Sequence, residues 1–263
     1  MVMICIAAAL LLTQVDSALA KPDTRYRDVT RGPQARPLSH RSKSQGYPWR
    51  GRLRKGVKLM ESPYIRYTTE YARQGDNFYG TWELVQLVER AAWRVHQRLP
   101  GAKLSVGELS ARQGGPIPGH HSHQNGRDVD IAFYMLDAHD KPYAPFAFAA
   151  FNGQGRGLKP NQMLRFDRAR NWELIARLVV DGDARVQYIF VANRIKRLLL
   201  REAKKRRAPA AVIRRADRLM VQPAKGHKHR NHFHLRIYCP PNSRPACQDR
   251  APFHRWYPGR PPR

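Results

Sequence analysis

Acidic residues are scarce in this chain: 20 Asp and Glu stand against 48 Lys and Arg among 263 residues, a formal net charge of +28. The surplus runs along the whole length instead of sitting in one tail, so the expected partners are anionic. Cysteine is scarcer still, with three residues. No apolar run reaches the roughly 20 residues of a spanning helix. The run from Ile4 to Leu12, followed by Ala18-Leu19-Ala20, reads instead as the core and cleavage site of a secretory signal peptide over residues 1–20, although the usual basic start is missing. Cleavage there removes Cys5 and leaves Cys239 and Cys247, an even count in an exported chain, which reads as one disulfide closing a Pro-rich loop. After that cleavage no stable membrane insertion is expected. Also absent are a His-Glu-x-x-His helix and an internal repeat. The glycine-rich loop at 114–119 lacks the trailing Gly-Lys-Ser/Thr of a phosphate loop, which argues against nucleotide binding. No stacking or groove-reading motif accompanies the charge, so no nucleic-acid partner is expected.

Four stretches follow from composition. After the signal peptide, residues 21–50 are rich in Arg, Pro, Gly and Ser and read as a basic, flexible arm. Residues 51–250 carry the periodic apolar patterns of one domain, and residues 251–263 form a basic, Pro-rich tail. Within the domain, helices are predicted over 82–99, 167–180 and 194–204. The basic residues Arg214, Arg215 and Arg218 read as a solvated helix face. Strands are predicted over 128–135, 186–191 and 232–238. Period two puts Asp128 and Asp130 on one face of the first, opposite Val129 and Ile131, and puts His232, His234 and Arg236 opposite Phe233, Leu235 and Ile237 in the last.

Seven of the 11 histidines fall within residues 120–123 and 227–234. If the two polar strand faces adjoin, carboxylate and imidazoles meet over an apolar core. His123 lies in the preceding loop, where Gly126 permits the tight turn that returns its ring over Asp130. His123, Asp130 and His234 then make a three-ligand set of the kind that leaves zinc an open position for water, with the pKa of that water lowered towards about 7. His232 shares a face with His234 and is the candidate base. His229 is a candidate for orienting water or stabilising an oxyanion. Asp128 is placed as a brace for a ligand or catalytic imidazole, and His120 near the site.

These residues carry a resemblance. Ser122-His123-Gln124-x-Gly126-x-Asp128-Val129-Asp130, with His229-x-x-His232-Phe233-His234, resembles the penicillin-insensitive murein endopeptidases, within the metallopeptidase group that includes lysostaphin-type enzymes and D-Ala-D-Ala dipeptidases. The resemblance implies an α+β domain with a small central antiparallel sheet flanked by helices and a metal site on one sheet face. It implies Zn2+ on His123, Asp130 and His234, catalytic imidazoles at His229 and His232, His120 close to the metal, and a Cys239–Cys247 pair. It further implies cleavage of peptide cross-links, D-Ala to meso-diaminopimelate, in peptidoglycan by a periplasmic or secreted enzyme; the extreme positive charge, itself a departure from the family pattern, suits an anionic wall polymer. Two other readings keep the same site: a D,D- or L,D-carboxypeptidase acting on wall peptides, and a zinc-containing wall-binding protein without catalysis. The basic arm and helices are departures from the family pattern.

Overall fold

Alternation of Val129 and Ile131 with Asp128 and Asp130, and of Phe233, Leu235 and Ile237 with His232, His234 and Arg236, produces the two central strands, Asp128–Ala132 and His232–Ile237. They pair antiparallel, with Asp130 opposite His234 and Asp128 opposite Arg236. Their apolar side chains enter the core, leaving carboxylates and imidazoles on the opposite face. The computed structural model describes residues 41–68 and 70–257; the signal-peptide reading therefore lies outside the described residues.

The sheet has six strands in the order Met220–Val221, Val186–Phe190, His232–Ile237, Asp128–Ala132, Leu104–Val106, Ile65–Tyr67. The α+β class is as expected, but the sheet is mixed instead of antiparallel. Its inner neighbours run antiparallel, whereas both edge pairs are parallel. The reason is connectivity. Helix Trp82–Arg98 lies between Ile65–Tyr67 and Leu104–Val106 in the chain, and helices Asn193–Lys205 and Ala210–Leu219 lie between Val186–Phe190 and Met220–Val221. Such crossovers return the chain in its original direction.

Helix Trp82–Arg98 starts where Thr81 Oγ1 accepts from Leu84 N at 3.4 Å and buries Leu84, Val85, Leu87, Val88, Ala92 and Val95. Helix Arg168–Val180 is capped by Asp167, which accepts from Arg170 N at 3.0 Å, and buries Trp172, Ile175 and Val179. Both join the strands' apolar face in one core cluster. Burying each of its larger aliphatic side chains contributes about 1.5–3 kcal/mol. In helix Ala210–Leu219 the buried residues are Val212, Ala216 and Leu219, while Arg214 and Arg218 face solvent. No helix among the described residues is long and apolar enough to cross a membrane.

Residues 43–50, which composition assigns to a flexible arm, are ordered. Lys43–Tyr47 pairs with Arg50–Arg54 as a hairpin. Apolar content is a poor guide here because much of the order comes from hydrogen bonds to other parts of the fold. Gly46 N donates to Ala246 O at 2.8 Å, Ser44 N to Ser243 Oγ at 3.1 Å, and Gln124 N to Pro48 O at 3.0 Å. Residues 21–40 and 258–263 lie outside the described residues, while in the remaining tail Trp256 packs against the core. Cys239 and Cys247 are joined by a disulfide.

Candidate metal centre

Register places the first two groups. Asp130 and His234 are cross-strand partners on the polar face, and His234 Nδ1 lies 3.1 Å from Asp130 Oδ1. The third comes from the preceding loop. Gly126 takes φ +73°, and a Cβ there would meet Leu53 Cδ1 at 2.8 Å and Thr81 N at 3.0 Å. That turn brings His123 Nε2 to 3.5 Å from Asp130 Oδ1 and 3.3 Å from His234 Nδ1. The three separations bracket the roughly 3.4 Å tetrahedral edge that metal–ligand bonds of about 2.0–2.1 Å produce.

Other contacts prepare these atoms to act as ligands. Asp130 Oδ1 is buried and, among the described residues, has no partner that meets hydrogen-bond geometry; only imidazole nitrogens of His123, His232 and His234 surround it at 3.1–3.5 Å, an arrangement a cation would satisfy. His123 Nδ1 donates to Leu109 O at 2.7 Å, which leaves the Nε2 lone pair facing the centre. His234 Nε2 lies 3.5 Å from Asp128 Oδ1. The residues present therefore fit a divalent ion.

His120, His123 and Asp130 form a second overlapping group, their ligand atoms within 4.8 Å of one another. His120 Nδ1 is 3.7 Å from Asp130 Oδ2, and its Nε2 bonds to Glu108, which also accepts from Asn77 Nδ2 at 2.9 Å. His120 is thus brought into the cluster; His121 is exposed and stands outside it. Glu108 is a site residue that sequence reasoning passed over. Its signal was a carboxylate in an acid-poor chain, just beyond the Leu104–Val106 strand and separated from it by Gly107.

His232 and His229 complete the cluster. His232 Nε2 lies 3.5 Å from Asp130 Oδ1, its Nδ1 bonds to Asn231 Oδ1 at 2.9 Å, and Phe148 stacks on its ring with centroids 4.6 Å apart. The His229 ring centroid is 4.8 Å from that of His232 and 5.6 Å from that of His234. His123 and His229 adopt φ of +67° and +48°, a left-handed conformation uncommon outside glycine and found most often where function demands it.

Burial and the neighbouring carboxylates divide the imidazoles. Burial lowers His229 to about 3, reinforced by His232 and His234. Burial also lowers His232, to about 4, against the opposing pull of Asp130. In His234 burial is overcome by Asp130 and Asp128, and the value rises to about 9. Burial is likewise overcome at Asp128, by Arg236 and His234, and at Asp130, by His232, His123 and His234; both carboxyls sit well below the usual range. Burial thus favours the uncharged form of His229 and His232.

A family model described as penicillin-insensitive murein endopeptidase matches residues 66–256. Curated proteins of that description are similar to this chain. One from Haemophilus influenzae is 30% identical over 184 residues, covering 67% of this chain and 57% of the relative. One from Klebsiella pneumoniae strain 342 is 28% identical over 180 residues, covering 66% and 59%. One from Salmonella arizonae is 29% identical over 177 residues, covering 65% and 58%. The chain thus matches somewhat under three-fifths of the length of these relatives.

Proposed function

This chain belongs to the penicillin-insensitive murein endopeptidase family, and on that premise we propose that it hydrolyses peptide cross-links of peptidoglycan, D-Ala to meso-diaminopimelate, outside the cytoplasm. The observation that carries the reading is the triangle of His123 Nε2, Asp130 Oδ1 and His234 Nδ1, with edges of 3.1–3.5 Å. In this reading those residues hold Zn2+, and a bound zinc ion supplies Lewis-acid polarisation and a water of lowered pKa.

The remaining roles belong to the protein. His232, aimed by its bond to Asn231, takes the proton as water attacks the scissile carbonyl and returns it to the amine nitrogen as the C–N bond breaks. His229, beside it, steadies the developing oxyanion or the attacking water. Asp128 braces His234, while Glu108 holds His120 at the margin of the cluster. A net charge of +28 raises the local concentration of an acidic wall polymer. The Cys239–Cys247 disulfide accords with an oxidising compartment.

The test is incubation of the protein with purified sacculi, with chelator and with zinc restored, and identification of the muropeptides by mass spectrometry. Conversion of cross-linked dimers to monomers that stops on chelation and returns with zinc is expected. Loss of a terminal residue from uncross-linked peptides would identify a carboxypeptidase instead. Binding to sacculi with no new peptide ends would identify a wall-binding protein. Cleavage that persists after complete metal removal would overturn the mechanism.

A further inference from the structure

Tyr47 and Trp49, at the turn of the amino-terminal hairpin, stack with centroids 5.0 Å apart and planes 10° apart. The Arg250 guanidinium lies 4.8 Å from the Tyr47 ring centroid and 5.2 Å from that of Trp49. Arg236 lies 6.0 Å from the Trp49 ring and 5.7 Å from the Phe190 ring. Phe190 in turn is 5.4 Å from His234, centroid to centroid. A continuous line of rings and guanidiniums therefore leads from the candidate metal centre to Arg250.

The two arginines are in different states. Arg236 is committed to Asp128, to which its Nε donates at 2.6 Å. Arg250 is exposed and pairs with no carboxylate among the described residues. The adjacent carboxylate, Asp249, is taken by Arg127 at 2.6 Å and Arg244 at 3.0 Å. Around Arg250 the backbone is fixed: Gln187 Nε2 donates to Arg250 O at 2.5 Å, and Tyr188 Oη to Ala251 O at 3.2 Å. The hairpin is fixed to the same region, since Gln248 N donates to Gly46 O at 3.1 Å. A guanidinium held against aromatic rings keeps planar N–H donors for an incoming oxyanion and loses little freedom on binding it.

We propose that Arg250, supported by Tyr47 and Trp49, is a subsite for a free carboxylate of the wall peptide, a specificity element that rests on the cross-link-cleaving reading above. Arg250 lies within the matched residues 66–256, while the rings that support it, Tyr47 and Trp49, precede them. The fork of Arg250 donates to the carboxylate while the scissile bond lies among the imidazoles.

The experiment compares the whole protein with its Arg250→Gln variant on two soluble cross-linked muropeptide dimers, one with free diaminopimelate carboxylates and one with those carboxylates amidated. Calorimetry measures binding and mass spectrometry measures cleavage. Arg250→Gln is expected to raise KM and Kd for the free acid about tenfold at unchanged kcat, in line with the loss of a charge-assisted hydrogen bond. It is expected to leave the amidated dimer unaffected. Equal discrimination between the two dimers by both proteins would overturn the subsite. Failure of the unmodified protein to cleave either dimer would instead overturn the peptidase reading; calorimetry still decides the subsite, which falls if the variant binds the free acid as tightly as the parent.

Discussion

Arg236 donates from Nε to Oδ1 of Asp128 at 2.6 Å and from Nη2 to Oδ2 at 3.1 Å, across directly paired positions of the two central strands. The same carboxylate accepts from His123 N at 3.1 Å and faces His234 Nε2 at 3.5 Å. One buried group therefore braces two candidate ligands. Asp128→Asn should weaken metal affinity about 10- to 100-fold. By removing the negative charge that pairs with Arg236, while keeping one accepting oxygen, it should also destabilise the fold by about 1.5–3 kcal/mol. Competition with a calibrated chelator and denaturant unfolding measure the two effects, and unchanged metal affinity would remove Asp128 from the brace.

Gly126 is the hinge of the ligand loop. In Gly126→Ala the added methyl must displace the Leu53 side chain and crowd Thr81 N while the backbone stays left-handed. The left-handed conformation alone costs roughly 1–2 kcal/mol. The expected result is a lower Tm together with weaker metal retention, read by thermal unfolding with and without added zinc. A variant with the parental Tm would show that the loop has another way to turn.

The disulfide ties the strand after His234 to the segment on which the hairpin rests. Replacing Cys239 and Cys247 together by Ser should reduce stability by about 2–3 kcal/mol, the loop-entropy value for a short loop. It should also loosen the hairpin through Gly46 N to Ala246 O, seen as faster amide exchange in residues 43–54. Exchange at the parental rate would show that the hairpin is held without the disulfide.

Tyr67 provides a pH signature away from the candidate metal centre. Burial, aided by Glu61 and Asp76, raises its hydroxyl to about 12 from an ordinary 10.0, and the hydroxyl donates to Leu59 O. A raised value in the folded state means a contribution present in full below pH 10.0 and lost as pH rises through about 12. Tyr67→Phe should lower stability near neutral pH by about 1 kcal/mol through the lost hydrogen bond. Its stability should then fall less steeply than the parent's between those pH values. Parallel curves for the two proteins would refute the assignment.

Much of the candidate site was legible because strand phase is local. Asp128 with Asp130, and His232 with His234 and Arg236, share faces by the period of two alone. The turn at Gly126 was legible because glycine tolerates positive φ. Glu108 was not, since nothing in its flanking residues says that His120, twelve residues on in the same long connection, will fold back to reach it. The hairpin was hidden for a related reason. Its order depends on hydrogen bonds to the Ser243 hydroxyl and to the backbone of Ala246 and Gln248, and composition measures only what a segment can bury by itself.

The sequence by itself determined the helices Trp82–Arg98 and Arg168–Val180, the polar and apolar faces of the central strands, and the residue types able to hold a cation, because these depend on neighbours within a few positions. Tertiary structure alone decided the register that sets Asp130 against His234, the parallel edges of the sheet, and the meeting of Trp49 with Arg250 from opposite ends of the described chain. Each of those requires distant segments to dock, and docking is fixed by the shared core and by backbone hydrogen bonds that form only when the segments come together.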